Sequence, residues 1–219
     1  MDSSRITIGI LNYRYDHFLS EAIKSALDQD YENKEILVVY NGLNGKTDIP
    51  CLDGVDKWYI LRENTMPYGG RNAVFEASTT EWVYMLDADD TIHPKTLSTL
   101  MSIAENTNAD AVIPSAEPFS LETVKIHNPY PYSSLIKKKV WNAVGGYEKV
   151  EDIIIEDWDF WIKVAKLSNL GLLNIQTINT DLYFHRWHDL NESKTYSDPA
   201  VWSKIYSALK RKHKDIFNE

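Results

Sequence analysis

The sequence predicts an α/β fold in which helices flank a mostly parallel central sheet. Apolar runs of strand length recur at residues 6–11, 35–40, 57–61, 82–86 and 110–114. Stretches with a helical spacing of apolar residues alternate with these runs, and this alternation is typical of βαβ units. The chain of 219 residues also has the length of one sizeable domain, so we expect a single α/β domain.

Four helices are predicted from apolar residues that repeat three and four positions apart. We expect Asp16 to cap the first, and we expect the second to begin near Pro94 and the third near Asp157. The fourth follows Asp198-Pro199, and we expect it to dock on the domain and to end in a frayed basic tip. The stripes are, in order, Phe18, Leu19, Ala22, Ile23, Ala26 and Leu27; Leu97, Leu100, Met101 and Ala104; Trp158, Trp161, Ile162 and Ala165; and Val201, Trp202, Ile205, Tyr206 and Leu209.

One long segment, residues 116–135, shows no regular strand or helix pattern. It contains Pro118, Pro129 and Pro131. A loop of this length inside a compact domain is usually a lid or a binding loop, so we expect this segment to border a functional site.

The charge balance argues against a protein whose main task is non-specific nucleic-acid binding. The chain has 23 Lys and Arg against 32 Asp and Glu, a net charge of −9, whereas such binding depends on basic residues that neutralise phosphates. Basic clusters at residues 137–139 and 210–214 leave a local basic face open, with a solvated helix face as the alternative. Cys51 is the only cysteine, which excludes an internal disulfide and a cysteine-based zinc site.

The start of the chain bears on its expected location. The first residues, MDSSRITIGI, are too short and too polar before their strand to form a secretory signal. No apolar run approaches the ~18 residues that a membrane-spanning helix needs. We therefore expect a soluble, cytoplasmic protein without a transmembrane segment.

Three carboxylates follow the apolar run at residues 82–86. Asp87 and Asp89 are one residue apart at the carboxyl end of a predicted parallel strand, where α/β folds bind ligands. Two such carboxylates can converge on Mg²⁺ or Mn²⁺, which bind through one or two carboxylates together with substrate phosphates. The alternative is a helix cap, with Asp90 or Thr91 capping the helix predicted from Pro94.

A second acidic group, Glu156, Asp157 and Asp159, precedes an aromatic helical stripe. Desolvation against indole rings raises the pKa of a carboxyl, whereas a helix N-terminus lowers it. Either outcome leaves a carboxylate that can deprotonate a hydroxyl, with a helix cap again as the alternative.

The segment HRWHDLNES supplies a third polar group. Arg186 can clamp a phosphate, and His185 or His188 can ligate a transition metal, although a single His is more often structural. The chain has no P-loop, no dinucleotide-binding glycine fingerprint and no serine nucleophile elbow. The acidic groups and this segment are therefore the main candidates for chemistry.

Taken in order, these motifs resemble the inverting glycosyltransferases of family 2 over nearly the whole chain. The matching stretches are NYRYDHFLSEAIKSALDQDYENKEILVVYNG, GGRNAVFEASTTEWVYMLDADD, WNAVGGYEKV, EDWDFW and HRWHDLNES. The resemblance implies a single GT-A type domain. It has a nucleotide-sugar-binding half at about residues 1–90, an acceptor and catalytic half at about 91–190 and a C-terminal helical tail at about 191–219.

The resemblance also implies a donor site for a nucleoside-diphosphate sugar. Asp87 would bond the ribose, and Asp89 would ligate the Mn²⁺ or Mg²⁺ that bridges the diphosphate. His188 is similar to the late metal or phosphate ligand of the family, with Arg186 nearby. Arg71, in GRNA, is similar to an arginine beside the nucleotide.

On the acceptor side, the resemblance makes Asp157 the base that takes the proton from the acceptor hydroxyl, with Glu156 helping to position it. A metal that stabilises the leaving group and a single base on the opposite face give inversion at the anomeric carbon. The residues expected to border the acceptor are Gly145, Gly146, Tyr147 and Trp158.

The chain departs from the family pattern at two places. Tyr40-Asn41 stands where a pair of aspartates is usual, and Asn41 can both accept and donate a hydrogen bond to a base. Uridine and thymidine nucleotides therefore both remain open. The opening strand ends in LNYRY, so Asn12, Tyr13 and Arg14 are expected to edge the base, with packing as the alternative for Tyr13 and Tyr40.

Two other functions stay open at this point. A nucleotidyltransferase or sugar-nucleotide pyrophosphorylase also combines an α/β nucleotide site with carboxylate-bound Mg²⁺, but it usually begins with a Gly-rich phosphate loop. A catalytically silent module that binds glycans is the other alternative. The acceptor is likewise open among a glycan, a lipid-linked saccharide, a protein and a hydroxymethylated DNA base.

Overall fold

The computed structural model describes residues 4–43, 53–189 and 198–217. Cys51 and residues 190–197, which include the end of the HRWHDLNES motif and the start of the predicted tail, lie outside the described residues. The strands are β1 (Ile6–Asn12), β2 (Lys34–Asn41), β3 (Lys57–Leu61), β4 (Trp82–Asp87), β5 (Thr91–Ile92), β6 (Ala111–Pro114), β7 (Leu135–Lys137), β8 (Ile175–Ile178) and β9 (Tyr183–Phe184).

Helices separate most of these strands along the chain. They are α1 (Asp16–Leu27), α2 (Met66–Ala77), α3 (Thr96–Thr107), α4 (Leu121–Ile126), α5 (Lys138–Ala143), α6 (Glu156–Asn169), α7 (Pro199–Lys212) and α8 (Lys214–Phe217). Within the described ranges, no helix combines the length and the apolar character that crossing a membrane requires.

The central sheet has seven strands in the order β3-β2-β1-β4-β7-β6-β8. Strands β3, β2, β1 and β4 are parallel to one another, as are β6 and β8, whereas β7 runs antiparallel between β4 and β6. Strands β5 and β9 form a separate antiparallel pair. The predicted α/β fold with a mostly parallel sheet is therefore confirmed.

Apolar side chains fill both faces of the sheet, as helices on both sides require. Alternate residues of β2 show the two faces: Ile36 and Val38 pack on the side of α1 and α3, and Leu37 packs on the side of α2 and α6. Gly9 of β1 lets α2 approach closely, because a Cβ there would lie 2.0 Å from a methyl carbon of Val74. This close contact packs α2 tightly against the middle of β1.

All five predicted strands and all four predicted helices are present, but several boundary predictions were wrong. Asp16 does not cap α1; it is the first helical residue, Tyr15 is at the cap position, and the Asp16 carboxylate accepts from Asn12 Nδ2 at 2.6 Å. Neither Asp90 nor Thr91 caps α3, whose cap position is Lys95. The segment 116–135 is not wholly irregular, because α4 lies within it.

The end of α7 also differs from the prediction. The helix follows Asp198-Pro199, as expected, and the Asp198 carboxylate caps its start by accepting from Ala200 N at 2.8 Å. Its basic tip is not frayed: Lys212 Nζ lies 2.9 Å from Asp159 Oδ1, and Arg211 pairs with Glu151 at 2.7 Å. Ion pairs therefore dock this helix on the domain at its last turn.

Candidate active site

A cavity of about 360 Å³ lies at the carboxyl ends of β1, β2 and β4. This is the edge of a parallel sheet at which α/β folds bind ligands. Helices α6 and α7 close its other side. Residues from each of these elements line it, among them Tyr13, Asn41, Asp87, Asp89, Asp157 and Trp202.

The acidic cluster after β4 brings carboxylate oxygens of Asp87, Asp89 and Asp90 within 4.8 Å of one another. The Asp90 carboxylate is hydrogen-bonded within the protein. It accepts from the hydroxyl of Tyr132 at 2.8 Å, from the hydroxyl of Tyr183 and from the backbone N–H of Arg186 at 2.8 Å. Burial opposes ionisation of Asp90, but these hydrogen bonds and that of His185 hold its pKa below the ordinary value. Asp90 therefore anchors the segment around β9.

Asp89 has a different environment. His188 Nε2 lies 3.0 Å from Asp89 Oδ2, and no Lys or Arg in the described part of the chain pairs with this carboxylate. Burial, followed by the charge of Asp87, raises the pKa of Asp89 to about 6. Converging carboxylate oxygens, with no Lys or Arg paired to the Asp89 carboxylate among the described residues, fit a hard divalent cation such as Mg²⁺ or Mn²⁺.

Arg71, on α2, links the two acidic groups of the site. Its guanidinium donates to both carboxylate oxygens of Asp87, at 2.9 and 3.2 Å, and to Glu156 Oε1 at 3.0 Å. The ring of Tyr132 covers its face at 3.8 Å. Burial alone would lower the pKa of Arg71, but the two carboxylates raise it above the ordinary value, so the guanidinium is charged.

Asp157 lies in the first turn of α6, at the wall of the cavity. Its carboxylate accepts from Trp158 N at 2.8 Å and from Asn128 Nδ2 at 3.2 Å. Burial, and then the neighbouring Glu156, raise the pKa of Asp157 to about 7. Of the two opposing effects expected from the sequence, desolvation is the larger, and it leaves a group able to exchange a proton near neutral pH.

Glu156 points away from Asp157 in its hydrogen bonding. It is buried, and its carboxylate accepts from Arg71. The expected role of Glu156 in positioning Asp157 therefore stays a prediction. The charge of Glu156 does act on Asp157, because it raises the pKa of that carboxyl.

The residues predicted to contact the nucleobase of the donor differ in how closely they approach the cavity. Tyr13 and Asn41 line the cavity, and the guanidinium of Arg14 lies 4.7 Å from the centre of the Tyr13 ring. The amide of Asn41 donates to Met66 O at 2.9 Å and accepts from Thr65 N at 2.9 Å, so in this structure it holds the start of α2. Its contact with a base remains a prediction.

Asn12 is buried beneath this region. Its side chain donates to Asp16 and accepts from Tyr15 N at 3.2 Å, and it does not line the cavity. A place for Asn12 at the edge of the base therefore remains a prediction.

The remaining predicted residues are only partly at the cavity. Trp158 lines it, whereas Gly145 and Gly146, with φ of 75° and 76°, form a turn outside it that leads to buried Tyr147. Their acceptor-side role remains a prediction.

Two predicted residues of the HRWHDLNES segment pack beside the acidic cluster. The Arg186 guanidinium donates to Asp89 O at 2.8 Å, and the His188 ring packs 5.1 Å from that of Phe18 and 5.2 Å from that of Tyr15. These contacts attach the segment after β9 to α1 and to the acidic cluster.

Sequence reasoning missed several side chains that the fold brings to the site. Asn128 and Tyr132 come from the proline-containing segment, and only its length indicated a binding loop. Trp202 was assigned to an apolar helical stripe, which is also the pattern of a residue that packs in a core. Their roles depend on contacts between residues far apart in the chain.

The fold and the cavity define a domain of the GT-A glycosyltransferase type. The chain belongs to glycosyl transferase family 2, whose family model matches residues 7–162. Among curated relatives, an uncharacterised glycosyltransferase of Nostoc sp. is 34% identical over 114 residues, which cover 50% of this chain and 35% of that protein. The chain thus spans about a third of the length of the first curated relatives that it matches.

A second relative matches over a larger share of both chains. It is the Escherichia coli UDP-Glc:alpha-D-GlcNAc-diphosphoundecaprenol beta-1,3-glucosyltransferase WfgD, 23% identical over 189 residues, which are 80% of this chain and 75% of that protein.

Solved structures share the fold. S. aureus TarS in complex with UDP-GlcNAc superposes with a TM-score of 0.70 at 14% identity, over 94% of this chain and 66% of that chain. The mannosyltransferase PcManGT from Pyrobaculum calidifontis, in complex with GDP-Man and Mn²⁺, gives a TM-score of 0.65 at 15% identity, over 93% and 68% of the two chains.

Proposed function

We propose that this chain is a metal-dependent inverting glycosyltransferase that moves a sugar from a nucleoside-diphosphate donor to an acceptor hydroxyl. One observation carries the proposal: a single cavity is lined both by the acidic cluster and by Asp157, a carboxyl whose pKa is raised to about 7. Donor activation and acceptor deprotonation need these two kinds of group in one site.

On the donor side, Asp89 and His188, whose Nε2 lies 3.0 Å from Asp89 Oδ2, are the residues that would hold Mn²⁺ or Mg²⁺ together with the donor diphosphate, and Asp87 would bond the donor ribose. Asp90 is excluded from this role by its hydrogen bonds to Tyr132 and Tyr183. When bound, the ion would stabilise the negative charge that develops on the leaving diphosphate. The nucleotide-sugar complexes of TarS and PcManGT support a donor of this class, and uridine or thymidine nucleotides are our first candidates.

On the acceptor side, Asp157 takes the proton from the attacking hydroxyl. Its hydrogen bonds from Trp158 N and Asn128 hold the carboxylate in one orientation. Attack on the face opposite to the leaving diphosphate inverts the anomeric configuration. Arg71, through its bonds to Asp87 and Glu156, keeps the donor and acceptor halves of the site in register.

Of the acceptors left open by the sequence, we favour a glycan or a lipid-linked saccharide. WfgD is named for transfer to a saccharide diphospholipid, which supports the second. A DNA acceptor would need the two basic clusters to be available. Lys137 and Lys139 both pair with Asp110, and Lys212 pairs with Asp159, so much of that charge is neutralised within the protein.

Thermal unfolding in the presence of candidate donors tests the proposal. A ligand that binds only the native state raises the melting temperature, so UDP, dTDP and their sugars should do so with Mn²⁺ and should lose the effect with a chelator. Asp89→Asn should abolish the shift. Asp152→Asn, which changes an exposed carboxylate on the surface, should keep it.

Three results would contradict the proposal. No shift with any nucleotide would mean that the cluster is structural. Metal-dependent binding without transfer or donor hydrolysis would support a silent binding module. Release of pyrophosphate from a nucleoside triphosphate and a sugar 1-phosphate would identify a pyrophosphorylase. The cytoplasmic location expected from the sequence remains a prediction, which fractionation of the producing cells would test.

A further inference from the structure

Helix α7 contributes to the cavity although it lies beyond residues 7–162, the part that the family model matches. Two of its residues, Trp202 and Ile205, line the cavity. Ile205 is buried, whereas the Trp202 side chain is 39% exposed. A large aromatic side chain left this open beside a candidate catalytic carboxyl has surface available to a ligand.

The Trp202 ring rests on a fixed support. It packs edge-to-face against Trp158, with ring centroids 5.3 Å apart and an interplanar angle of 70°. The Trp158 indole N–H donates to Val124 O at 2.7 Å, and the Trp158 backbone N–H donates to Asp157. The same residue therefore holds both the catalytic carboxylate and the exposed ring.

Contacts at the C-terminal end of α7 attach this helix to α6, whereas the Asp198 cap at its start is a contact within α7 itself. At the end, His213 Nε2 lies 2.7 Å from Asp159 Oδ1, where Lys212 also binds. Because Asp159 is on α6, two residues after Asp157, the helix that carries the exposed ring is attached to the helix that carries the base.

We propose that Trp202 forms the acceptor subsite and that its ring packs against a pyranose of a saccharide acceptor, either free or lipid-linked. A pyranose presents a face of C–H groups that packs on an aromatic ring, while the hydroxyls at its edge remain available to a carboxylate. The apolar wall of Trp202, Trp158 and Ile205 beside Asp157 matches these two needs. This inference rests on the proposed function, in which Asp157 is the base.

Kinetics of Trp202 variants test the subsite. The first set of probes consists of the p-nitrophenyl pyranosides of glucose, galactose and N-acetylglucosamine. The second set consists of polyprenyl-diphosphate conjugates of the same three sugars. Trp202→Ala should raise the acceptor KM by about tenfold or more, the size expected when an aromatic anchor is removed. Trp202→Phe should restore most of the affinity. The Mn²⁺-dependent thermal shift with UDP, which reports donor binding alone, should not change.

The control variant is Trp58→Ala, which removes an equally large exposed ring from the edge strand β3, outside the cavity. It should leave the acceptor KM unchanged. If the wild type has a lower KM for the conjugates than for the free pyranosides, and Trp202→Ala removes this difference, the acceptor is lipid-linked. Equal KM values for the two kinds of probe support a free saccharide acceptor.

Three outcomes overturn the subsite. They are an unchanged acceptor KM in Trp202→Ala, no pyranoside bound or used by a wild-type protein that still hydrolyses the donor, and transfer to a hydroxymethylated DNA oligonucleotide alone. Absence of both donor hydrolysis and nucleotide binding in the wild type would instead overturn the proposed function itself.

Discussion

The two faces of helix α6 each carry an aspartate, and the two aspartates have opposite pKa shifts. Asp157 faces the cavity, and burial raises its pKa to about 7. Asp159, two residues later, is fully buried against α7, with His213 at 2.7 Å and Lys212 at 2.9 Å. Although burial opposes it, these partners hold the pKa of Asp159 below its ordinary value.

Helical geometry explains how neighbours diverge so far. At 3.6 residues per turn, residues two positions apart point about 200° apart around the axis, so Asp157 and Asp159 belong to different surfaces. Burial opposes ionisation of both carboxyls, although Asp157 is partly exposed at the cavity and Asp159 is fully buried. The supply of cationic partners, and not burial, therefore decides which one stays ionised and which one can exchange a proton.

The acidic cluster after β4 repeats this contrast. Asp90 accepts hydrogen bonds from hydroxyl and backbone donors, and its pKa is lowered. Asp89 has only His188 as an ion-pair partner among the described residues, and its pKa is raised. In each pair, one carboxylate is bonded within the fold, and the other lines the cavity.

The largest expected effect comes from removing the cavity-facing member of the α6 pair. Asp157→Asn keeps the shape of the side chain but removes the proposed base, and general-base catalysis is worth roughly 10²- to 10⁴-fold. We expect sugar transfer to fall about 1,000-fold, with metal-dependent donor binding retained. Transfer assays and UDP titrations measure the two quantities separately, and near-normal transfer by this variant would show that another group is the base.

Removing the other member should affect stability. Asp159→Ala removes the carboxylate that buried His213 contacts and one of the two carboxylates that pair with Lys212, and breaking a buried pair costs about 3–5 kcal/mol. We expect the free energy of unfolding in urea to fall by about 3 kcal/mol. A loss below about 1 kcal/mol would mean that the pairing contributes no more than an exposed ion pair.

The pH dependence of transfer should follow Asp157. Between pH 6 and pH 8 the ionised fraction of a group with a pKa of about 7 rises about tenfold, so kcat/KM should rise by that factor and then level off. Asp157→Asn should lack this rise in its residual rate. A profile that is flat from pH 6 to pH 8 in the wild type would place the pKa of the base elsewhere.

The contributions of Asp157 and Asp159 to the free energy of unfolding should depend on pH with opposite signs. The pKa of Asp157 rises on folding from 3.8 to about 7, so its contribution to stability is lost as pH rises between these values. The pKa of Asp159 falls on folding, so its contribution is present above 3.8 and is lost at lower pH. Relative to the wild type, Asp157→Asn should therefore gain stability from pH 4 to pH 7, as urea unfolding at each pH would show.

The sequence predicted the parts of this comparison that depend on local pattern. The strands were found because their buried apolar runs are continuous, and α6 because its stripe is regular. Helix α2 was not found, because Pro67, Gly69 and Gly70 interrupt the helical pattern at its start. The position of Arg71 between two carboxylates, and the direction of the pKa shift of Asp157, depend on residues that only the tertiary fold brings together.

The smallest expected effect concerns a second contact of α7, the pair between Arg211 and Glu151. It has good geometry, with the guanidinium donating at 2.7 to 3.0 Å, but both side chains are about half exposed. Because water and salt screen such a pair, Arg211→Ala should lower the free energy of unfolding by about 0.5 kcal/mol or less, and less still at high salt. Urea unfolding at two salt concentrations measures this. A loss as large as that of Asp159→Ala would mean that the exposed pair of Arg211 and Glu151 holds α7 as strongly as the contacts of Asp159 do. The contacts of Asp159 would then not be what sets the position of Trp202.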